Sequence, residues 1–346
     1  MTSIEKIFSK LKIDSYGILE LTPCVKKTIY DREVQLESWH QKRKISEFEP
    51  EGKNRFLVLN RDHPAQTIVA IAIPFDLKGM VGQNTLGWVD PSAWARDYHA
   101  VLKQLLLEIH THLKTVLNRP LETPEYCVDT TPYIDREVAL YTGLGKYGKN
   151  HFMINPKHGT HFYIGYLLYK TPLRIGQTSL DLTNIRYDGC ETCDACVHAC
   201  PSQICSFGEM DVTKCLSAIT QTGFTRTDSD RELLKNRLYG CNTCQLVCPA
   251  NKDKGVYEAL QIESKNYIDP FELLCQSNKM FKRQYGGQGF AWRHGWIYKR
   301  NALNILGNTG DLTVYNRLKE MTFMRNDDKL KWDYQWALKA LEKVIY

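Results

Sequence analysis

A chain that carries Cys190-x2-Cys193-x2-Cys196-x3-Cys200-Pro201 and, about forty residues on, Cys241-x2-Cys244-x3-Cys248-Pro249 must fold so that thiolates converge on two centres. This is the spacing of proteins that hold two 4Fe-4S clusters. A cubane cluster takes four thiolates from different directions, and Cys-x2-Cys-x2-Cys wraps one short loop around three corners. In two-cluster proteins the cysteine before proline serves the other cluster, which assigns Cys190, Cys193, Cys196 and Cys248 to the first. Cys200, Cys241 and Cys244 then need one partner. Cys215, between the two runs in a helix expected over Asp211 to Thr220, is the best-placed residue to complete that set. A chain built this way moves single electrons.

Other uses of cysteine fit less well. A zinc ribbon wants two Cys-x2-Cys pairs and tetrahedral closure, and the two runs overfill it. Disulfide frameworks replace missing cores in small secreted domains, whereas this chain has 346 residues. Met1 to Ile13 alternates charged and apolar residues and lacks the apolar run of a signal peptide. No stretch reaches the ~20 apolar residues of a membrane span, so a cytoplasmic protein with no membrane association is expected. Cys24, Cys127, Cys205 and Cys275 read as lone, small apolar residues.

The formal charge of +6 says little as a sum, but its distribution is uneven. Val138 to Leu180 contains no Asp or Glu. Lys279 to Gly310 is also free of acids and interleaves Arg293, Lys299 and Arg300 with Trp292, Trp296 and Tyr298. Cations beside aromatic rings suit a polyanion with exposed bases; a solvated face over an aromatic core is the plainer alternative.

Gln66 to Pro74 and His161 to Tyr169 read as buried strands, and Pro91 to Leu117 as one long helix. After Lys252 the pattern turns helical, with Tyr298 to Leu306 stopped at Gly307-Asn308, followed by Leu312 to Met321 and Trp332 to Val344. The fold class expected is α+β. An N-terminal α/β domain covers 1–182, a ferredoxin-like two-cluster module 183–255, and helical hairpins of the HEAT kind 256–346.

Gly143-Leu144-Gly145-Lys146-Tyr147-Gly148 matches the dinucleotide fingerprint G-x-G-x-x-G literally, but it follows a helix expected over Ile134 to Thr142 and precedes an extended stretch, His151 to Ile154. A Rossmann loop needs the reverse order and an acid further on. The glycines instead end a helix and let the backbone approach another bulky anionic ligand. Asp135 opens that helix and is either its cap or a proton-holding carboxyl beside a large cofactor.

Together these residues resemble the epoxyqueuosine reductase family. The resemblance rests on Asp97-Tyr98-His99, Asp129-Thr130 through Asp135-Arg136, the loop ending Gly148-Lys149-Asn150, and Cys215-Leu216-Ser217. It continues through Gly240 to Pro249, Lys299-Arg300-Asn301-Ala302-Leu303 and Gly307-Asn308. The chain departs from the family's usual residues at Lys146-Tyr147, His151 and Tyr166.

The resemblance implies an oxidoreductase that binds base-off cobalamin through the N-terminal domain, alongside the two 4Fe-4S clusters, and converts an epoxide on a tRNA wobble base to an alkene. It further implies Asp135 as the catalytic proton donor, with Arg55, Asp135, Lys149, Asn150, Thr160, Ser217 and Asn242 as cofactor contacts. For tRNA, Arg293, Lys299 and Arg300 are expected on phosphates and Trp292 or Trp296 on a base. The reductant would be of the ferredoxin or flavodoxin class, and the chain a monomer. Three rival readings remain: a corrinoid reductive dehalogenase, a ferredoxin-type electron carrier and, more distantly, a tRNA-binding repeat protein whose clusters are structural.

Overall fold

A computed structural model describes residues 2–41, 63–77, 85–175, 179–208, 210–223, 226–261, 266–322, 324 and 327–345. The architecture is mixed helix and strand. The chain forms two compact units, each discontinuous in sequence. The first comprises Met1–Phe75, Tyr98–Ala195 and Cys248–Ala259; the second comprises Asp76–Asp97, Cys196–Val247 and Leu260–Tyr346.

The first unit is built on a four-stranded antiparallel sheet in the order Tyr16–Glu20, Thr67–Pro74, Phe162–Tyr169, Glu125–Val128. Thr67–Pro74 is buried at every position, as expected of a central strand lying between two others and covered on both faces. The strand Phe162–Tyr169 sorts its side chains by alternation. Phe162, Tyr166 and Leu168 enter the core that includes Ile68, Ala70, Val138 and Tyr141. On the opposite face Gly165 lets the helix Tyr98–Leu117 approach, since a Cβ there would come within 3.1 Å of Leu102. Cys127 pairs directly with Tyr166 across the strands, which sets the face on which Tyr166 points.

The short helix Asp135–Tyr141 packs on the Tyr166 face. Gly143, at φ 71°, ends that helical segment, as the sequence suggests. Gly145 and Gly148 serve a different purpose from the one expected. A Cβ on Gly145 would lie 2.8 Å from the Ile154 carbonyl oxygen, and one on Gly148 would lie 2.9 Å from the Ile154 side chain. These glycines close the small hairpin of Lys146–Tyr147 and Met153–Ile154 on itself.

In the second unit, Gly87–Val89 lies between Arg237–Tyr239, parallel to it, and Tyr267–Ile268, antiparallel. The helices Pro270–Cys275, Asn278–Tyr285, Gly295–Gly307, Leu312–Glu320 and Lys331–Ile345 complete it. Gly295–Gly307 is the central helix, buried on nearly all sides. Its two buried asparagines are matched internally, whereas Arg300 Nε and one terminal nitrogen have no hydrogen-bond partner among the described residues. Asn301 Nδ2 donates to the carbonyls of Thr220 (2.8 Å) and Leu238 (2.7 Å), and Asn304 Nδ2 donates to Asp333 (2.8 Å). Arg226 donates to Asn304 Oδ1 (2.8 Å) and Asn301 Oδ1 (2.6 Å).

Two expected elements differ. The helix expected over Pro91 to Leu117 is broken: Pro91–Trp94 makes one turn, Ala95 is extended, and Tyr98–Leu117 begins afresh. The apolar spacing runs through the break because Trp94 stacks on Phe290 in the second unit, while Val101, Leu102 and Leu105 are buried in the first. Cys215 is not inside a helix. It stands at the extended junction between the 3-10 turn Val212–Lys214 and the helix Leu216–Gln221, which frees its side chain from helical packing.

Candidate active site

None of the cysteines of the two runs, nor Cys215, is joined in a disulfide among the described residues. Cys190 closes a 3-10 turn and Cys196 lies on the helix Ala195–Ala199. The loop between them is pinned from below by Lys149, whose Nζ donates to Asp194 (2.6 Å), the carbonyl of Cys193 (3.0 Å) and that of Glu191 (3.4 Å). Cys200, Cys215, Cys241 and Cys244 all belong to the second unit, and Cys190, Cys193 and Cys248 to the first; Cys196 is the first residue past that boundary. Gly240, at φ 80°, brings the chain into Cys241, and a Cβ there would meet Asp90 at 2.4 Å.

Two features of this region escape sequence reasoning. Cys205, read as a lone apolar residue, is 5% exposed and its thiol is in hydrogen-bonding contact with Cys196 and Cys244. Its spacing from either run matches no ligand pattern, so nothing in the sequence marks it. Asn242 is 2% exposed, and its Nδ2 has no hydrogen-bond partner among the described residues. A buried amide donor is costly to leave unmet, so an acceptor from a bound group between Cys241 and Cys244 fits it.

Asp135 is the first residue of its helix rather than the cap, a position held by Ile134 with no side-chain bond. Its Oδ1 accepts a 2.8 Å hydrogen bond from the Tyr166 hydroxyl, and that hydroxyl lies 3.2 Å from Thr131 Oγ1. Tyr166 is fully buried, and desolvation first, then the charge of Asp135, pushes its phenol far above the usual range. It is therefore a fixed donor. Nearby, Tyr98 donates to Asp129 (2.8 Å) and stacks on Tyr163 with ring centroids 4.0 Å apart.

The structure redistributes the other expected contacts. Arg55 lies outside the described residues. The Lys149 ammonium anchors the loop Glu191 to Asp194 through its hydrogen bonds. Thr160 is buried, and its hydroxyl exchanges hydrogen bonds with the Asn251 side chain (2.8 Å). Asn150 is buried and accepts from Phe152 N (3.3 Å). Ser217 Oγ accepts from Gln221 (3.3 Å) in the helix after Cys215.

Among the expected tRNA contacts, Arg300 is corrected. It is 3% exposed and donates to Ile219 O and Asn301 Oδ1, so it cannot reach a phosphate without unfolding the central helix. Lys299 is half-buried and donates to the Leu274 carbonyl (3.0 Å). Trp296 is also half-buried. Trp292 is 55% exposed, with the Arg293 guanidinium 3.7 Å from its ring centroid. Trp292 Nε1 is held by Tyr239 (2.8 Å), which fixes the ring's orientation.

Known proteins resemble this chain in its cysteine module and in its fold. Residues 189–251 match a family model described as a 4Fe-4S double cluster binding domain. An epoxyqueuosine reductase of Staphylococcus aureus is 31% identical over 340 residues, spanning 94% of this chain and 84% of that protein. The structure of epoxyqueuosine reductase from Streptococcus thermophilus shares the fold with a TM-score of 0.79 at 25% identity, over 98% of this chain and 90% of that one. A further structure, an epoxyqueuosine reductase with a tyrosine-tRNA epoxyqueuosine-modified stem loop, shares the fold with a TM-score of 0.76 at 24% identity, covering 98% of each chain.

Proposed function

The chain belongs to the epoxyqueuosine reductase family, and from this we propose that it reduces the epoxide of epoxyqueuosine at the wobble position of tRNA to the alkene of queuosine. The observation that carries the reading is a 4Fe-4S double cluster domain set within a chain related to that family over nearly its whole length. The reaction consumes two electrons and two protons and releases the epoxide oxygen as water.

When bound, the clusters supply electrons one at a time, and a base-off cobalamin supplies a low-potential metal for opening the epoxide. For the first cluster we assign Cys190, Cys193, Cys196 and Cys248, and for the second Cys200, Cys215, Cys241 and Cys244. Asn150, Ser217 and Asn242 are the residues proposed to hold the corrinoid, with the unmet Nδ2 of Asn242 as the observation in favour. Asp135 delivers a proton to the oxygen as the C–O bond breaks, so that an alkoxide does not build up. It is half-exposed, and its Oδ1 accepts a hydrogen bond from Tyr166.

We read residues 1–182 as the cobalamin-binding part, 183–255 as the two-cluster part, and 256–346 as HEAT-like helices that bear the tRNA contact. Trp292 and Arg293 form its exposed centre. The reductant is of the ferredoxin or flavodoxin class, and the protein acts as a cytoplasmic monomer. No helix among the described residues is long and apolar enough to cross a membrane.

Mass spectrometry of nucleosides from bulk tRNA tests the reading in cells lacking the gene, with the intact gene or its Asp135→Asn form returned. Accumulated epoxyqueuosine that converts to queuosine with the intact gene alone is the expected result. Normal queuosine in the deletion would remove the tRNA assignment, and full conversion by Asp135→Asn would remove the acid.

A further inference from the structure

We propose that the second unit holds a small inorganic anion, of the charge and size of chloride, against the buried guanidinium groups of Arg226 and Arg300. The inference is independent of the reaction proposed above.

The two side chains converge on the same acceptors. Arg226 Nη2 donates to the Ile219 carbonyl (2.7 Å) and to Asn301 Oδ1 (2.6 Å), and Arg300 Nη2 reaches the same two oxygens at 3.4 and 3.3 Å. Two cations are thereby brought side by side. Both are shut away from water, Arg226 at 6% and Arg300 at 3% exposure. Nor does this arrangement use up their donors, since each guanidinium has five N–H groups. Arg226 Nε, Arg300 Nε and Arg300 Nη1 are buried with no hydrogen-bond partner among the described residues.

The acids of the region are committed elsewhere. Asp333, which is buried, accepts from Arg231 Nε (3.0 Å) and Asn304 Nδ2 (2.8 Å). Asp228 is exposed and pairs with Arg231, and Asp230 closes a capping box with Thr227 at the start of the helix Asp228–Leu234. Arg226, Arg231 and Arg300 are thus three buried cations around one buried carboxylate. The cost is visible at Arg226, whose guanidinium is pulled well below its ordinary range by burial first and by the charge of Arg300 next. The Trp296 ring centroid lies 5.4 Å from Arg300 Cζ, but Lys329 Nζ approaches the same ring at 5.5 Å, so this face offers a weak attraction and brings a further cation.

Buried charges with unmet donors call for a counter-charge. Water would meet the N–H groups and leave the repulsion standing, whereas an anion answers both. Nitrogens sealed from solvent exclude a ligand that docks from outside, a tRNA phosphate included; the anion is enclosed as the chain folds. A halide suits the site better than phosphate, because stripping water from a doubly charged ion costs far more. The Ile219 carbonyl belongs to the helix Leu216–Gln221, which starts directly after Cys215. The arginine pair therefore holds the C-terminal end of that helix, where positive charge is favourable, and the anion makes the pairing of two cations there tolerable.

Bromide is the probe in crystals of the cluster-loaded protein. An anomalous bromine peak at the unmet nitrogens of Arg226 and Arg300 is expected, and water density without anomalous signal there would overturn the site. In solution, the cluster-loaded protein is melted at constant ionic strength while chloride replaces gluconate. Above the dissociation constant, each tenfold rise in chloride should raise the melting temperature by about 2 °C. Arg226→Gln and Arg300→Gln should lose most of that dependence, whereas Lys12→Gln, which removes an exposed cation of the first unit, should keep it. If the glutamine variants fail to retain their clusters, Arg300→Lys, which keeps the charge without the fork of donors, takes their place. A chloride dependence that survives in the arginine variants would overturn the assignment. A bromide peak beside a parental melting temperature indifferent to chloride would mark an adventitious ion only and overturn it as well.

Discussion

Arg300 and Trp292 sit eight residues apart in one acid-free, aromatic stretch, and the sequence presents them as equivalent. Burial separates them. Arg300 is buried inside the second unit, with one terminal nitrogen donating to the Ile219 carbonyl and to Asn301, whereas Trp292 stands in solvent with Arg293 stacked on its face. Replacing Trp292 and Arg293 together by Ala should weaken binding of a modified tRNA stem loop by about tenfold, the loss of one base-stacking platform, and flatten its salt dependence. Titrations at several salt concentrations would show it, and unchanged affinity would move the contact elsewhere. The same distinction explains what was legible residue by residue. Cluster thiolates announce themselves because their spacing is dictated by the cubane. Cys205 does not, since a side chain brought beside Cys196 and Cys244 by folding has no local signature.

Elements were legible where one face had one partner. Thr67–Pro74 and Phe162–Tyr169 match their expected spans to within a residue, because a covered strand must be apolar throughout or alternate cleanly. Pro91 to Leu117 was misread because apolar spacing records burial without naming what buries it. The break places Asp90 in a demanding position. It caps the turn Pro91–Trp94, accepting from Ser92 N (3.0 Å) and Oγ (2.7 Å), yet it is buried, and desolvation pushes its carboxyl up from 3.8 to about 6. With the folded pKa raised, the folded state binds more protons between those values, so this group's contribution is greatest at low pH and is lost as pH rises through about 6. At neutral pH the cost of ionising it is roughly 3 kcal/mol or less, from a shift of about two units. Asp90→Asn retains a capping side chain without the charge. Melting of the variant and the parent should nearly coincide near pH 4 and separate in favour of the variant by pH 8. Parallel curves across that range would show that Asp90 does not titrate there.

For the molecule as a whole, the cysteine runs do not map one to one onto the two units. Cys200 ends the first run but groups with Cys215, Cys241 and Cys244 in the second unit, while Cys248 ends the second run and groups with Cys190 and Cys193 in the first. Cys196 falls in the second unit, so these groupings leave the crossed assignment proposed above, in which each Cys-Pro ending serves the other cluster, to experiment. The uncrossed alternative would put Cys200 with Cys190, Cys193 and Cys196, and Cys248 with Cys215, Cys241 and Cys244. Iron counts in paired substitutions separate the two. Cys193→Ser should lower iron from about eight to about four atoms per chain, and so should Cys215→Ser. If the ligands cross, adding Cys248→Ser to Cys193→Ser removes a second ligand from a cluster already lost, and iron stays near four. If they do not cross, the same pair damages both clusters and iron falls toward zero. Cys200→Ser added to Cys215→Ser behaves in the same way, and electron paramagnetic resonance of the reduced proteins should show one surviving 4Fe-4S signal in each crossed pair. If the ligands cross, the signal that survives in Cys193→Ser/Cys248→Ser comes from the cluster assigned to Cys200, Cys215, Cys241 and Cys244.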